Sequence, residues 1–346
     1  MSYLFVNEKG AVIHFNENCV VVKYGEDSLR KIPVESLEAI YIFSNAQITS
    51  QCMIQCLTRG IHVSYYSKGG VYFGRLQSTG HVNVHRQRKQ AALAGTKFSL
   101  DLSKNIVSGK IHNQEVILRR YARSEQKEIK DILTEIKQSF RKVNGCRSVS
   151  EVMGYEGNAA RHYFEGLSRL VHQEFAFKGR SRRPPRDEFN SMLSFGYSIL
   201  MNEIYGKLEN KGLHPYFGFL HSDKEKHPTL ASDLMEEWRA TLIDSMVMSL
   251  VNGNEIHLEH FSHDLDSPGY YLTKTGLNIF LKKYDMKMRT TTNYLDYIDY
   301  PVSFRKAIDL QINELAKAIE EEDVNISSRL VEVNVWKIIF LRSKKM

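Results

Sequence analysis

The hydrophobic period of the chain changes once, near Ser78, and that change governs what the chain can fold into. Up to Leu76, apolar residues come in short runs rich in β-branched and aromatic side chains, separated by Gly, Asn and Asp. Such runs read as strands, expected over 3–6, 11–15, 20–24, 29–32, 39–43, 62–66 and 71–76. Ser67-Lys68-Gly69-Gly70 reads as a hairpin loop. One helix interrupts them at 50–59, with Met53, Ile54 and Leu57 as its apolar residues and Gly60 as its C-cap. The aromatics Tyr41, Phe43, Tyr65, Tyr66, Tyr72 and Phe73 are expected in the sheet core or on a dimer face.

After Ser78 the apolar spacing moves to three and four residues, the helical period. Helices are expected over 100–123, capped by Ser99, then over 125–143 up to the Asn144-Gly145 break. Ser148-Val149-Ser150-Glu151 forms a capping-box pattern opening the next helix. Another starts at Asp187 or Asn190, and further ones cover 229–251, 274–288 and 303–322. The C-terminal lysines are expected to be a frayed tail. The fold class is therefore α+β: a small N-terminal β-sheet domain with one helix over 1–84, a basic linker over 85–98, and a larger all-α domain over 99–346.

Charge is divided along the chain. Residues 1–200 hold 29 Lys and Arg against 18 Asp and Glu, while residues 201–346 hold 18 against 22, within an overall +7. A basic first part suits a polyanionic partner. Two stretches concentrate the cations. His85-Arg86-Gln87-Arg88-Lys89 contributes Arg86, Arg88 and Lys89. Residues 178–186 carry Lys178, Arg180, Arg182, Arg183 and Arg186 with no acid, and Pro184-Pro185 prevents a continuous helix. Both stretches are candidate phosphate contacts. No apolar run is long enough to span a membrane, and no secretion signal is visible. The four cysteines, without a disulfide framework, fit a reducing cytoplasm. Cys52 and Cys56 read as buried thiols rather than a zinc half-site.

The candidate chemistry begins at Gly218-Phe219-Leu220-His221. Asp233, Glu236 and Glu237 follow at i, i+3, i+4, which stacks three acids roughly on one helix face. An acidic face beside a histidine is either solvated surface or part of a divalent-metal site, and spacing alone leaves both open. No P-loop, dinucleotide fingerprint, HExxH or nucleophile elbow is present.

Five stretches add a resemblance: SGKIHNQEVILRR (108–120), MGYEGNAARHYF (153–164), RRPPRDEFNSMLSFGYSIL (182–200), GLHPYFGFLH (212–221) and LASDLMEEWR (230–239). In order and content they resemble motifs of the CRISPR-associated spacer-acquisition integrase family (Cas-one), over nearly the whole chain. The resemblance implies a metal site of Glu156, His221 and Glu236, with Mg2+ or Mn2+ as cofactor. It implies that Asp233 supports this site, giving a catalytic set of Glu156, His221, Glu236 and Asp233. Glu237 is expected to be peripheral, Tyr163 either lines the site or packs in the core, and Asn190 and Tyr197 match positions that read as structural. Tyr284-Asp285 departs mildly from a common Tyr-Glu. Further implications are integration of double-stranded DNA fragments into CRISPR repeat DNA, a homodimer joined through the β domains, a small Cas-two partner dimer, and no membrane. A divalent-metal nuclease on branched DNA or RNA, or a catalytically silent DNA-binding scaffold, stays open as the alternative.

Overall fold

The computed structural model describes residues 2–264, 268–295 and 297–327. The C-terminal lysines lie outside them. The first part is two four-stranded sheets. Strands β1 (Ser2–Val6), β5 (Leu37–Ile42), β7 (His62–Tyr66) and β8 (Tyr72–Leu76) pair in that order, parallel until the final antiparallel pair. Strands β4 (Asp27–Pro33), β3 (Cys19–Tyr24), β2 (Val12–Asn16) and β6 (Gln47–Ile48) form the second sheet. Helix α1 (Ser50–Arg59) starts at Thr49, whose side chain accepts from the Cys52 N–H, and ends at Gly60 in the left-handed region. As expected of buried thiols, Cys52 and Cys56 lie in the core between the sheets, with Leu4, Ile13, Ile40 and Val63.

Alternation decides what the first sheet does with its other face. Leu4, Ile40 and Val63 align across β1, β5 and β7 and point inward to that core. Their neighbours Tyr3, Ala39, Tyr41 and Phe43 point the opposite way, into the core of the helical part. Phe43 stacks edge-on to Phe195, and the Arg305 guanidinium sits over the Tyr3 ring. Both faces are thus covered, which is how a mainly parallel sheet is stabilised. The expected aromatics divide accordingly: Tyr41, Phe43 and Tyr66 are buried, Tyr65 and Tyr72 are half-buried, and Phe73 is exposed on edge strand β8.

The second part consists of α2 (Val84–Ala92), α3 (Lys97–Glu125), α4 (Lys130–Val143), α5 (Val149–Leu170), α6 (Glu188–Asn210), α7 (Thr229–Trp238), α8 (Ser245–Asn252), α9 (Lys274–Arg289), α10 (Phe304–Glu321) and the short α11 (Val324–Ser327). Two short ribbons, β9 (Phe261–Asp264) with β10 (Gly269–Leu272) and β11 (Thr291–Thr292) with β12 (Val302–Ser303), depart from an all-α second domain. They escape a sequence reading because runs of two to four residues carry no period.

Three helix boundaries differ for identifiable reasons. Helix α3 begins two residues before Ser99, which is buried inside it and donates its hydroxyl to the Phe219 carbonyl. Ser99 is therefore a tertiary contact and not a cap. Gln126 adopts left-handed backbone and ends α3, leaving 126–129 as the link to α4. The expected helix over 229–251 widens between α7 and α8 into a π-helical turn at Arg239–Asp244. Asp187 caps α6 by accepting from the Asn190 N–H at 2.7 Å, which settles the choice between those two starts.

Candidate functional site

The site forms where α3, α5 and α7 meet the loop after α6. Asp233 organises that loop. One carboxylate oxygen accepts from the Phe219 and Leu220 N–H groups at 2.7 and 2.9 Å. The other accepts from the His221 N–H at 3.1 Å and lies 2.6 Å from His221 Nδ1. Because a carboxylate only accepts, Nδ1 carries a proton, and Nε2 is turned away from Asp233. Gly218 is required by the same turn, since a Cβ there would come within 2.8 Å of Asp233 Oδ2. Ser99 and Ser103 donate to the Phe219 carbonyl. Buried Gln90 clamps the start of the loop, donating to the His214 and Phe217 carbonyls and accepting from the His214 N–H.

The three acids of α7 are all buried, at 0 %, 3 % and 0 % exposure for Asp233, Glu236 and Glu237. A solvated acidic face is excluded. Glu236 Oε1 lies 3.8 Å from His221 Nε2 and 3.1 Å from Arg239. Burial favours its neutral form, but the charges of Arg239, Lys110 and His221 prevail and hold its pKa down at about 2. Burial likewise works against a charged His221 ring, yet the hydrogen bond and charge of Asp233, with Glu236, raise its pKa. Glu237 points elsewhere, to the Gln311 amide, and burial drives its pKa well above the usual range. It faces away from the site, and burial favours its neutral form.

Glu156 enters from α5, pairing with the Lys110 ammonium. Lys110, on α3, also lies 2.6 Å from Glu236 Oε2. That contact is an ion pair to a buried oxygen. Two carboxylates from different helices thus converge on one cationic centre, with His221 Nε2 beside Glu236. Among the described residues no three His, Cys, Asp or Glu side chains enclose a common point as a metal cage; the central position belongs to Lys110. The donor set itself, two carboxylates and an imidazole fixed through its other nitrogen, fits a hard divalent cation that tolerates nitrogen.

Residues 4–286 match the family model described as "CRISPR associated protein Cas1". The chain belongs to the Cas1 family. A CRISPR-associated endonuclease Cas1 from Mycobacterium tuberculosis is 35% identical over 336 residues, spanning 97% of this chain and 98% of its own. A Cas1 endonuclease of Thermus thermophilus is 36% identical over 76% of this chain and 77% of its own. Among solved structures, a casposase bound to integration product superposes with a TM-score of 0.85 at 20% identity, over 99% of this chain and 100% of that one. A Cas1 protein from Thermotoga maritima gives 0.78 at 23% identity, over 92% and 97%. At these identities the two structures speak for the Cas1 fold.

The cationic stretches separate in the fold. Lys178, Arg182, Arg183 and Arg186 are exposed on the loop before α6. Arg180 turns inward, donating to Asn190 and Ser194 and lying over the Tyr197 ring. Asn190 shapes this loop, accepting from the Ser181 N–H and donating to the Gly179 carbonyl. On α2, Arg86 and Lys89 pair with Glu320 and Glu322 near the end of α10, and Arg88 is exposed. Burial lowers the pKa of His227, whose ring stands 6.4 Å from that of His221, and the charges of His221, Lys224 and Arg183 add to this. The loop therefore borders the site. Tyr163 does not line it. Its hydroxyl and that of Tyr197 donate to buried Asp244, at 2.8 and 2.5 Å.

Lys110, Arg239 and Gln90 were missing from the sequence-derived site. Lys110 and Arg239 fell inside quoted motifs, so a signal existed. Gln90 carried none, because a glutamine among cations looks like surface.

Proposed function

We propose that the chain is a metal-dependent DNA integrase of CRISPR adaptation, joining the 3′-hydroxyl of a captured DNA fragment to a phosphodiester at the repeat border. The observation that carries this reading is the convergence of Glu156, Glu236 and His221 Nε2 within a Cas1-family fold. Glu156, His221 and Glu236 would hold Mg2+ or Mn2+, which supplies polarisation of the phosphodiester and offsets charge on its oxygens. Asp233 keeps the His221 ring turned with Nε2 toward Glu236. The exchange of one phosphoester for another needs no protein nucleophile. Positioning two DNA ends is then the larger task.

The exposed Lys178, Arg182, Arg183 and Arg186, with Arg88, would bind the duplex through its backbone, with affinity falling as salt rises. Arg86, Lys89 and Arg180 would act on this surface indirectly, by fixing α2 and the loop. The fold is shared with a casposase solved on an integration product and, with a TM-score of 0.81 over 96% of this chain, with a chain of a Cas6-RT-Cas1–Cas2 complex. The first supports DNA as a partner and the second, of which this chain covers 36%, supports Cas2. Residues 1–84 would join two copies, 85–98 would lead to the catalytic domain over 99–346, and the protein would work in the cytoplasm. No helix of the described residues is long and apolar enough to cross a membrane.

The relatives' name, endonuclease, favours a second reading in which water replaces the 3′-hydroxyl, acting on branched DNA or RNA. Incubating labelled 3′-OH DNA with a repeat-containing duplex and Mn2+ separates the readings. Joined product from the parent protein, lost in Glu156→Ala and His221→Ala, is the expected result. Cleavage without joining would support the nuclease, no reaction of either kind would support a silent scaffold, and full joining by both variants would overturn the site.

A further inference from the structure

Two carboxylates aimed at one point from separate helices repel unless a cation lies between them. In this protein the cation is the Lys110 ammonium, which pairs with Glu156 and lies 2.6 Å from Glu236 Oε2. The Lys110 side chain is almost fully buried, with 6% of its surface exposed. Arg239, the other cation on Glu236, is anchored differently. Its guanidinium reaches Oε1 at 3.1 Å and lies 4.9 Å over the Tyr197 ring. Lys110 rests on a flexible four-carbon stem and is held at its tip by these carboxylates.

We propose that Lys110 is a displaceable internal counter-cation: its ammonium holds Glu156 and Glu236 together before a divalent ion binds, and ion binding expels it. The proposal rests on the metal reading above. An ion held by Glu156 and Glu236 would compete with the ammonium for the same two carboxylates, and two cations in contact in a buried site repel strongly. Binding is therefore an exchange, in which the divalent ion enters and the ammonium leaves. Charge supports this, because Lys110 and Arg239 already balance Glu156 and Glu236. The exchange lowers the protein's affinity for the ion on its own, since the ion must compete with a tethered rival. The expelled ammonium becomes available at the rim of the site to a phosphate oxygen.

The test uses Mn2+ alone on the full chain, without DNA. Bound Mn2+ is measured by electron paramagnetic resonance of the free ion, with Glu156→Gln defining the site. Exposure of Lys110 is measured by reductive methylation and mass spectrometry. Labelling of Lys110 in the parent protein should rise along the Mn2+ binding curve, and Lys110→Met should bind Mn2+ about ten-fold more tightly. If Lys110→Met does not fold, Lys110→Gln provides the comparison, and labelling of the parent protein needs no variant. Saturating Mn2+ binding with flat Lys110 labelling would overturn the displacement and leave the metal site standing. Absence of Mn2+ binding by the parent protein would overturn the site and this proposal together.

Discussion

Asp233, Glu236 and Glu237 stand within five residues on α7, and burial gives each a different chemical state. Asp233 is surrounded by donors, so its contribution is to shape the loop that carries His221. Glu236 keeps its charge because cations face it. Glu237 meets only an amide and the approach of α3, where a Cβ on Gly109 would come within 3.0 Å of its oxygen. These states separate two isosteric substitutions. Glu237→Gln keeps the shape of a side chain whose neutral form burial already favours, and its stability should stay within about 1 kcal/mol of the parent with Mn2+-dependent joining retained. Glu236→Gln removes a charge that the site uses, and joining should fall at least about a hundred-fold. Strand-transfer rates and urea unfolding of both variants check this pair, and loss of joining in Glu237→Gln would return that residue to the site.

At the scale of elements, the widened turn between α7 and α8 and the basic loop before α6 are joined. The π-helical turn carries Asp244, which takes the Tyr163 and Tyr197 hydroxyls. Arg180 and Arg239 both lie over the Tyr197 ring, one from the basic loop and one from the site. Burial raises the Asp244 pKa to about 6 against the pull of both hydroxyls. An acid whose pKa is raised on folding contributes its full stability below its unfolded pKa and loses it as pH rises through the folded one. Tyr163→Phe removes a donor to the charged form, so its deficit should be about 1–3 kcal/mol at pH 8 and smaller at pH 5. Urea unfolding at the two pH values measures it, and an equal deficit would show that the hydroxyl does not serve the carboxylate. In the loop, Arg182→Glu with Arg183→Glu should weaken duplex binding and flatten its salt dependence while leaving Mn2+ binding unchanged. Unaltered DNA affinity across a salt titration would remove this loop from the DNA surface.

For the whole molecule, the joint between the sheets and the helices sets the cooperativity. Glu203 is buried on α6, accepting from the Tyr284 hydroxyl and from Arg305, whose guanidinium also reaches Asp285 and covers the Tyr3 ring. The Tyr284-Asp285 pair is thus built into this joint. Since β1, β5 and β7 share one core with the helices, the β part should not unfold separately. Calorimetry should show one transition, which Arg305→Met lowers by leaving buried Glu203 without its ion-pair partner, a loss of about 3–5 kcal/mol. Two resolved transitions in the parent protein would show that the shared core is too weak to couple the parts.

The sequence by itself determined the main sheet and helix regions, the short ribbons apart, because periods of two and of three to four residues dictate the face that each element can bury. It also placed His221 and the acids of α7, since motif order survives in a linear reading. Only the tertiary structure decided what those acids are. Burial and facing charge are properties of helices brought together over long separations, as Lys110, Glu156 and Glu236 are, and no local spacing encodes them. The same reason hid the clamp of Gln90, the inward turn of Arg180 and the tertiary contact of Ser99. A polar side chain carries the same letter whether it meets water, a phosphate or the carbonyl of a distant loop.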